Sequence, residues 1–225
     1  MHVASEPAIL YFGTPVVLVS TVNDDGSANL APISSAFWLG WRAVLGIGAG
    51  AQTARNLRRS GECVLNLPSQ AQVAHVDRLA LTTGADPVPP AKAARGYRHV
   101  RDKFGAAGLA AQPSQAVAAP RVRECPVQLE AVVEAVHGIA DDDAALRGRL
   151  LNIEVRIVRV HLHPDILLDG HPDRVDPDRW RPLIMSFQKF YGLGGEQLHP
   201  SALASIPEAM YRSPDVDRAR QAAAA

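Results

Sequence analysis

Lysine is nearly missing from this chain of 225 residues: three lysines stand against twenty arginines. Together with abundant alanine, that is a genomic composition bias and carries no chemistry by itself. Cysteine is also scarce, and the two present, Cys63 and Cys125, exclude a disulfide framework or a four-cysteine zinc site. Neither sign of charge is in excess, since 23 basic side chains balance 23 acidic ones. The basic surplus that nucleic acid or an anionic membrane selects is therefore lacking, and neither is expected as a partner. Long apolar runs are missing too. Residues 15–19 and 44–47 fall far short of the roughly 20 residues that span a bilayer, and no N-terminal stretch has a signal peptide's layout. A cytoplasmic protein is expected. At 47% hydrophobic and 20% charged, the chain can build one domain, residues 1–225, around a sizeable core.

What is present reads mainly as strand and turn. Residues 15–22 (PVVLVSTV) are apolar on both faces, which predicts a strand buried on two sides. Asn23-Asp24-Asp25-Gly26 supplies a hairpin turn, followed by strands over 28–34 and 43–48. Thr53 is read as the N-cap of a helix over 54–60 closed by Gly61, with Ala54 and Leu57 inward and Arg55, Arg58 and Arg59 outward. A strand at 62–67 ends at Pro68. Helical spacing of Val73, Val76, Leu79 and Ala80 predicts a helix over 69–83. The Ala-, Gly- and Pro-rich residues 84–120 are too long for a simple loop and read as an insertion over the barrel, with a short helix near 99–104. Strands follow at 127–137 and 150–163. In the latter the apolar phase shifts from Ile153, Val155, Ile157 to Val158, Val160, Leu162, which predicts a bulge. A last strand is expected over 183–191, and the polar segment 197–225 is expected to wrap a partner subunit or fray. Few helices and no repeating βαβ unit point to an antiparallel barrel.

Most candidate motifs reduce to structure. Gly46-Ile-Gly48-Ala-Gly50 lacks the spacing, the third glycine position and the acidic residue of a dinucleotide fingerprint. It reads instead as a strand end approached closely by other backbone. His161 and His163 share a strand face but have no evident third ligand, so they read as solvent-facing histidines and no metal site is expected. Asp141–Asp143 reads as a solvated hairpin tip, and Cys63, between apolar neighbours, as an inert buried thiol. No nucleophile elbow is present, and no catalytic residue is assigned. What remains is polar: Asn29, Ser34 and Ser35 in or just past a strand, then Thr53 and Asn56 at a helix start. A helix N-terminus with free amides is a ready phosphate site, so these residues fit a phosphate-bearing ligand. They fit equally a capped helix with ordinary turn serines.

Four ordered blocks resemble the flavin-reductase-like family of FMN-binding split barrels: PVVLVSTVNDDGSANLAPISS, TARNLRRSGECVLNLPS, RDKFGAAGLAAQPS and APRVRECPVQLEAVV. The resemblance covers about residues 12–192. It implies a mainly β, six-stranded antiparallel split barrel of Greek-key type, with peripheral helices, that forms a homodimer with one FMN per subunit near the interface. Carried over by position, Asn29, Ala31, Pro32 and Ser34 line the flavin ring and ribityl side, and Ser35 and Ala36 continue that loop. Gln52, Thr53 and Asn56 fall on the phosphate side, with Arg55 and Lys103 as further cofactor contacts. Two departures stand out. Trp38-Leu-Gly-Trp41-Arg42 replaces the family's frequent Ser-Asp-Pro-Pro turn, and Ala51-Gln52-Thr53 replaces its frequent Lys-Asp-Thr, which removes a cation from the phosphate segment.

The resemblance implies an NAD(P)H-dependent flavin reductase in which nicotinamide delivers hydride to flavin N5, with NADH or NADPH as reductant. The flavin carries that chemistry and the protein supplies position and electrostatics, so a missing acid–base dyad is consistent with it. A partner oxygenase or other acceptor protein would take the electrons. Two alternatives stand beside this reading. One is an electron-transfer flavoprotein that holds FMN without direct nicotinamide turnover, and the other is a flavin-dependent enzyme acting on an organic substrate.

Overall fold

A computed structural model describes residues 1–199 and 201–224, the side chain of Ala224 excepted. The strand expected over 15–22 is β2 (Val17–Val22), and it is preceded by a separate strand, β1 (Phe12–Pro15). Pro15 has no N–H to continue a ladder, and at Val16 the backbone turns away to donate to the Leu183 carbonyl at 2.9 Å. The Asn23–Gly26 turn closes with a Gly26 N–H to Asn23 O bond of 3.0 Å and leads into β3 (Ala28–Ile33). Then come β4 (Ala36–Leu39), which the sequence did not reveal, β5 (Arg42–Gly48), α1 (Gln52–Ser60) and β6 (Glu62–Leu67).

The covering segment is made of short pieces: α2 (Val73–Asp77), β7 (Thr82–Thr83), α3 (Pro90–Ala93), β8 (Arg98–His99), α4 (Lys103–Ala107), β9 (Ala111–Gln112) and β10 (Arg121–Val122). The helix expected over 69–83 stops early because Leu81 takes a left-handed φ of 53° and β7 pairs with β8. The helix expected at 99–104 starts only at Lys103, where the Asp102 side chain accepts from the Gly105 amide and caps it. Two long strands follow, β11 (Val127–Ile139) and β12 (Leu150–Leu162). Opposite β11, Val158 is the unpaired residue between Ile157 and Arg159, which is the bulge the apolar phase shift predicted. The expected last strand is instead a hairpin, β13 (Leu183–Ser186) and β14 (Lys189–Gly192), turned by Phe187 and Gln188 at positive φ. In the C-terminal segment α5 (Pro214–Ala224) lies against β12 of its own chain. Asp215 there accepts from Arg42 Nε at 3.2 Å and Arg218 Nη1 at 3.0 Å.

The main sheet runs β3-β2-β6-β11-β12-β5-β4, with every neighbouring pair antiparallel. It holds seven strands where six were expected. The difference arises at Ser34-Ser35: β3 ends one side of the sheet and β4, two residues later, begins the other. A two-residue link cannot cross a flat seven-stranded sheet, in which adjacent strands lie about 4.8 Å apart. The sheet must therefore curl until its ends nearly meet. The Gly46 amide donating to Ser35 O at 2.7 Å fastens that corner. β3 and β4 do not pair with each other, so the barrel stays open.

The two apolar faces of β2 serve two cores. Val17 and Val19 point into the curl with Leu45, Leu65 and Ile153, where Ala54 and Leu57 of α1 close one end. Leu18, with Val16 just before the strand, packs on the other side, roofed by Val76, Leu79, Phe104, Val122 and Leu183. The insertion is thus half of a second core. Buried polar groups anchor it. Asn66 of β6 donates to Leu18 O at 3.0 Å and accepts from the Val122 amide at 2.7 Å. Glu130 of β11, fully buried, accepts from the amides of Gln115 and Ala116 at 3.0 and 2.6 Å and from His161 Nε2 at 2.6 Å.

His161 is therefore not the solvent-facing residue expected; it is the partner of a buried carboxylate. Burial pushes the Glu130 carboxyl up, but these hydrogen bonds outweigh it and hold it below its ordinary 4.5. A carboxyl with a depressed folded-state value stabilises the fold above its unfolded value and loses that contribution as pH falls through the folded one. Glu130→Gln, measured by urea unfolding at neutral pH, should cost about 2–4 kcal/mol. Its deficit against the parent should shrink below pH 4.

Candidate functional site

The open corner of the curled sheet bounds a cleft of about 700 Å³. One wall is the end strand β3 with Ser34-Ser35, and a second is the Gly46–Gly50 turn leading into α1. The third is the covering segment from Leu79 to Gly84, with α3 and Lys103. β3 pairs only with β2 and is an edge strand of the sheet, and its residues Asn29, Ala31, Pro32 and Ile33 line this cleft. Glycine lets the walls lie close where they meet. A Cβ at Gly46 would lie 3.0 Å from Ser35 Cβ, and one at Gly84 would lie 2.5 Å from Asn29 Oδ1 and 3.2 Å from Gln52 Cγ. Within the run Gly46-Ile-Gly48-Ala-Gly50 the close approach its sequence suggested occurs at Gly46 alone, since a Cβ at Gly48 or Gly50 would meet nothing within 4 Å.

A buried polar cluster forms the cleft's inner end. Asn29, 2% exposed, donates from Nδ2 to Thr21 Oγ1 at 3.2 Å and Thr53 Oγ1 at 3.1 Å. Asn56 donates to Thr21 Oγ1 and Asn23 Oδ1, both at 2.9 Å, and accepts from Gln52 Nε2 at 2.9 Å. Thr53 is consequently not the N-cap. The cap is Ala51, in extended geometry with no side-chain capping bond, and the Thr53 hydroxyl is committed to Asn29. The C-terminal expectation holds, with Gly61 at φ 70° donating to Leu57 O.

The structure therefore brings together Asn29, Ala31, Pro32, Ser34, Ser35, Gln52, Thr53 and Lys103 along one cleft. Three predicted residues do not line it. Ala36 turns into the core, Asn56 lies behind the wall as a support for Gln52, and Arg55 is exposed on the outer face of α1. The sequence reading missed Thr82, Thr83, Gly84, Lys92, Arg95 and Tyr97, all from the covering segment. One signal could have found Lys92: in a chain that otherwise writes arginine, two of three lysines fall here.

Charge in the cleft has one sign. Lys92, Arg95, Lys103 and Arg149 line it and no Asp or Glu does, among the described residues. Lys103 is 3% exposed. Burial first, and Lys92 second, lower its ammonium from 10.5 to about 8. Burial, then Arg95 and Arg55, also lower Lys92, whose ammonium stands 5.4 Å from the centre of the Tyr97 ring. Elsewhere the thiols are inert. Burial pushes Cys63 up to about 12 and Cys125 upward as well, and no group of three metal-ligating side chains occurs among the described residues. A second concavity, about 840 Å³, lies between β12 and α5. It contains none of this polar cluster.

The chain belongs to the family of the flavin reductase like domain, whose model matches residues 9–194. It is 35% identical over 191 residues to the uncharacterized protein YdfE of Bacillus subtilis, covering 85% of this chain and 89% of that protein. Among solved structures it is similar in fold to the flavoredoxin of Desulfovibrio vulgaris (Miyazaki F), with a TM-score of 0.71 and 21% identity over 91% of this chain and 99% of that one. Nitrilotriacetate monooxygenase component B from Bacillus cereus gives a TM-score of 0.67 at 21% identity, over 86% and 89% of the two chains. No helix among the described residues is long and apolar enough to cross a membrane.

The depressed value of Lys103 corresponds to roughly 3 kcal/mol of unfavourable interaction with its charged form. The unfolded chain binds the proton more tightly, so this penalty is complete below pH 8 and is relieved as pH rises towards 10.5. Without an added anion, Lys103→Met should therefore raise the thermal midpoint at pH 7. The advantage over the parent should fade by pH 10 in scanning calorimetry.

Proposed function

We propose that the cleft holds FMN and that the protein is an NAD(P)H-dependent flavin reductase, passing hydride from a nicotinamide to the bound flavin. The observation that carries this reading is a cleft, in a chain of this family, that joins a strand's free backbone edge to an uncapped helix start. Those two features suit the two ends of a flavin nucleotide: amides and short polar side chains for the edge of a heterocycle, and helix N–H groups with cations for a phosphate. The residues fit the group, since the cations of this cleft face no carboxylate.

Bound FMN would supply a hydride acceptor at N5. The chain's own part is positional. Asn29 orders the inner end by tying β3 to α1. Ala31, Pro32 and Ser34 give a close wall, Ser35 is fixed by Gly46 and by the Tyr11 hydroxyl at 2.9 Å, and the backbone donors of β3 oppose negative charge developing on the ring. Gln52, Thr53 and Lys103 serve the phosphate side, with Asn56 holding Gln52; Arg55 adds charge from outside the cleft. No side chain is required to shuttle a proton, so the cleft needs no dyad.

A homodimer is part of the same proposal. Phe12 and Phe187, edge to face at 4.7 Å, and Phe37 and Leu39 of the neighbouring strand form an exposed apolar rim beside the cleft. A soluble monomer rarely leaves such a patch bare. Reduced flavin's electrons would pass to a separate acceptor, a partner oxygenase among them.

The test is the rate of nicotinamide oxidation by purified protein with FMN, for NADH and NADPH in parallel. The proposal expects a rate well above flavin alone, and Asn29→Leu should weaken FMN binding by about tenfold. Retained FMN with no nicotinamide turnover would replace the reductase with an electron carrier. Failure to bind FMN at all would remove both.

A further inference from the structure

We propose that the concavity between β12 and α5 is a binding site for a small organic monoanion, a carboxylate on an apolar body, with Arg159 as its anchor. The site shares no lining residue with the corner cleft and does not rest on the flavin reading.

The end of β12 leaves the space open. β5 pairs with β12 only as far as Arg156, and Ile157 donates to Trp41 O at 2.9 Å. Beyond that point β12 pairs only with β11, so it is an edge strand, and Val158, Arg159, Val160 and Leu162 border the concavity. Successive residues of a regular strand face opposite ways. The bulge at Val158 breaks that alternation and sets an arginine beside apolar side chains. α5 roofs the space without filling it. Ion pairs from Asp215 to Arg42 and Arg218 fasten the start of the helix, and the apolar residues it lends to the concavity are small: Val216, Ala219 and Ala223. Protein interiors are close-packed, so about 840 Å³ between a helix and a sheet is room for a ligand.

Charge decides what kind of ligand. Arg159 has no hydrogen bond or ion pair among the described residues, and its Nε is buried without a partner. Glu130, opposite it on β11, is committed to the Gln115 and Ala116 amides and to His161. The other charges around the space are paired or exposed. Arg174 pairs with Glu208 and Arg212 with Asp217, while Arg220 and Asp173, of opposite sign, are exposed. A buried donor without an acceptor is costly, and the edge of a guanidinium matches a carboxylate with two parallel hydrogen bonds. One unanswered arginine fits one negative charge. Trp41 and Leu167 complete the apolar wall around it.

The test is calorimetric titration of the full chain with decanoate, 1-decanol and decylamine below their aggregation limits, with and without saturating FMN. The Trp41 indole N–H is followed by NMR, and circular dichroism checks that Arg159→Gln and Val216→Phe fold. The expected result is one decanoate per chain with a dissociation constant of about 10–100 μM, about tenfold tighter than either other probe. The Trp41 signal should shift, and FMN should not displace the decanoate. Arg159→Gln should remove the preference for decanoate and leave 1-decanol unchanged. Val216→Phe narrows the space and should weaken all three probes by about fivefold. Should Arg159→Gln fail to fold, the contrast among probes in the parent and the Val216→Phe loss decide. Absence of decanoate binding, 1-decanol binding as tightly as decanoate, displacement by FMN or a fixed Trp41 signal would each overturn the site. So would decanoate binding that either folded variant leaves unchanged.

Discussion

Ser34 and Ser35 connect strands at opposite ends of one seven-stranded sheet, and most of the architecture follows from the shortness of that link. Two residues span at most about 7 Å, so the sheet must curl to bring β3 beside β5 and the turn that enters α1. The curl creates an interior, filled by Val17, Leu45, Leu65 and Ile153 with α1 as its plug. It also leaves one corner where strands approach without pairing. β3 and β4 are left as edge strands there, and β3 lines the cleft. Gly46 and Gly84 let the walls lie close, because a Cβ at Gly46 would press on Ser35 and one at Gly84 would displace the Asn29 amide.

At that corner the chain accepts local costs. The Asn29, Thr21, Thr53, Asn56 and Gln52 side chains satisfy one another in a buried cluster, which fixes β3 against α1. Beside them sits Lys103, whose buried ammonium opposes folding at neutral pH. Leu81, with its left-handed backbone, stands on the rim. Strain and unpaired charge gather where a ligand would offset them. The covering segment is held by the protein itself, through Glu130 and Asn66 and through the second core. The roof is thus part of the folded scaffold and not an appendage.

Much of this was legible in the residues. Two-faced apolarity at 15–22 announced a strand between two cores, the phase shift after Ile157 located the bulge, and Gly61 marked the end of α1. Asn29, Ser34, Ser35, Gln52 and Thr53, singled out as polar, lie together along one cleft. What the sequence hid was long-range. Pattern alone does not show that Thr53 would be drawn to Asn29 and leave the cap to Ala51, or that Glu130 would turn His161 from solvent. The break between β3 and β4 is a tertiary event, since nothing local in ISSAF separates one strand from two. Lys92, Arg95 and Tyr97 were obscured because their segment has almost no periodicity, and only the rarity of lysine set Lys92 apart.

One spatial arrangement matters above the others in the proposal: flavin in the corner cleft, with its phosphate at the start of α1. A crystal structure of the protein grown with FMN tests this most directly. The account predicts the phosphate within hydrogen-bond reach of the Thr53 and Ala54 amides and Lys103 Nζ, with the ring against β3. FMN seated instead in the concavity between β12 and α5, with the corner empty, would contradict it.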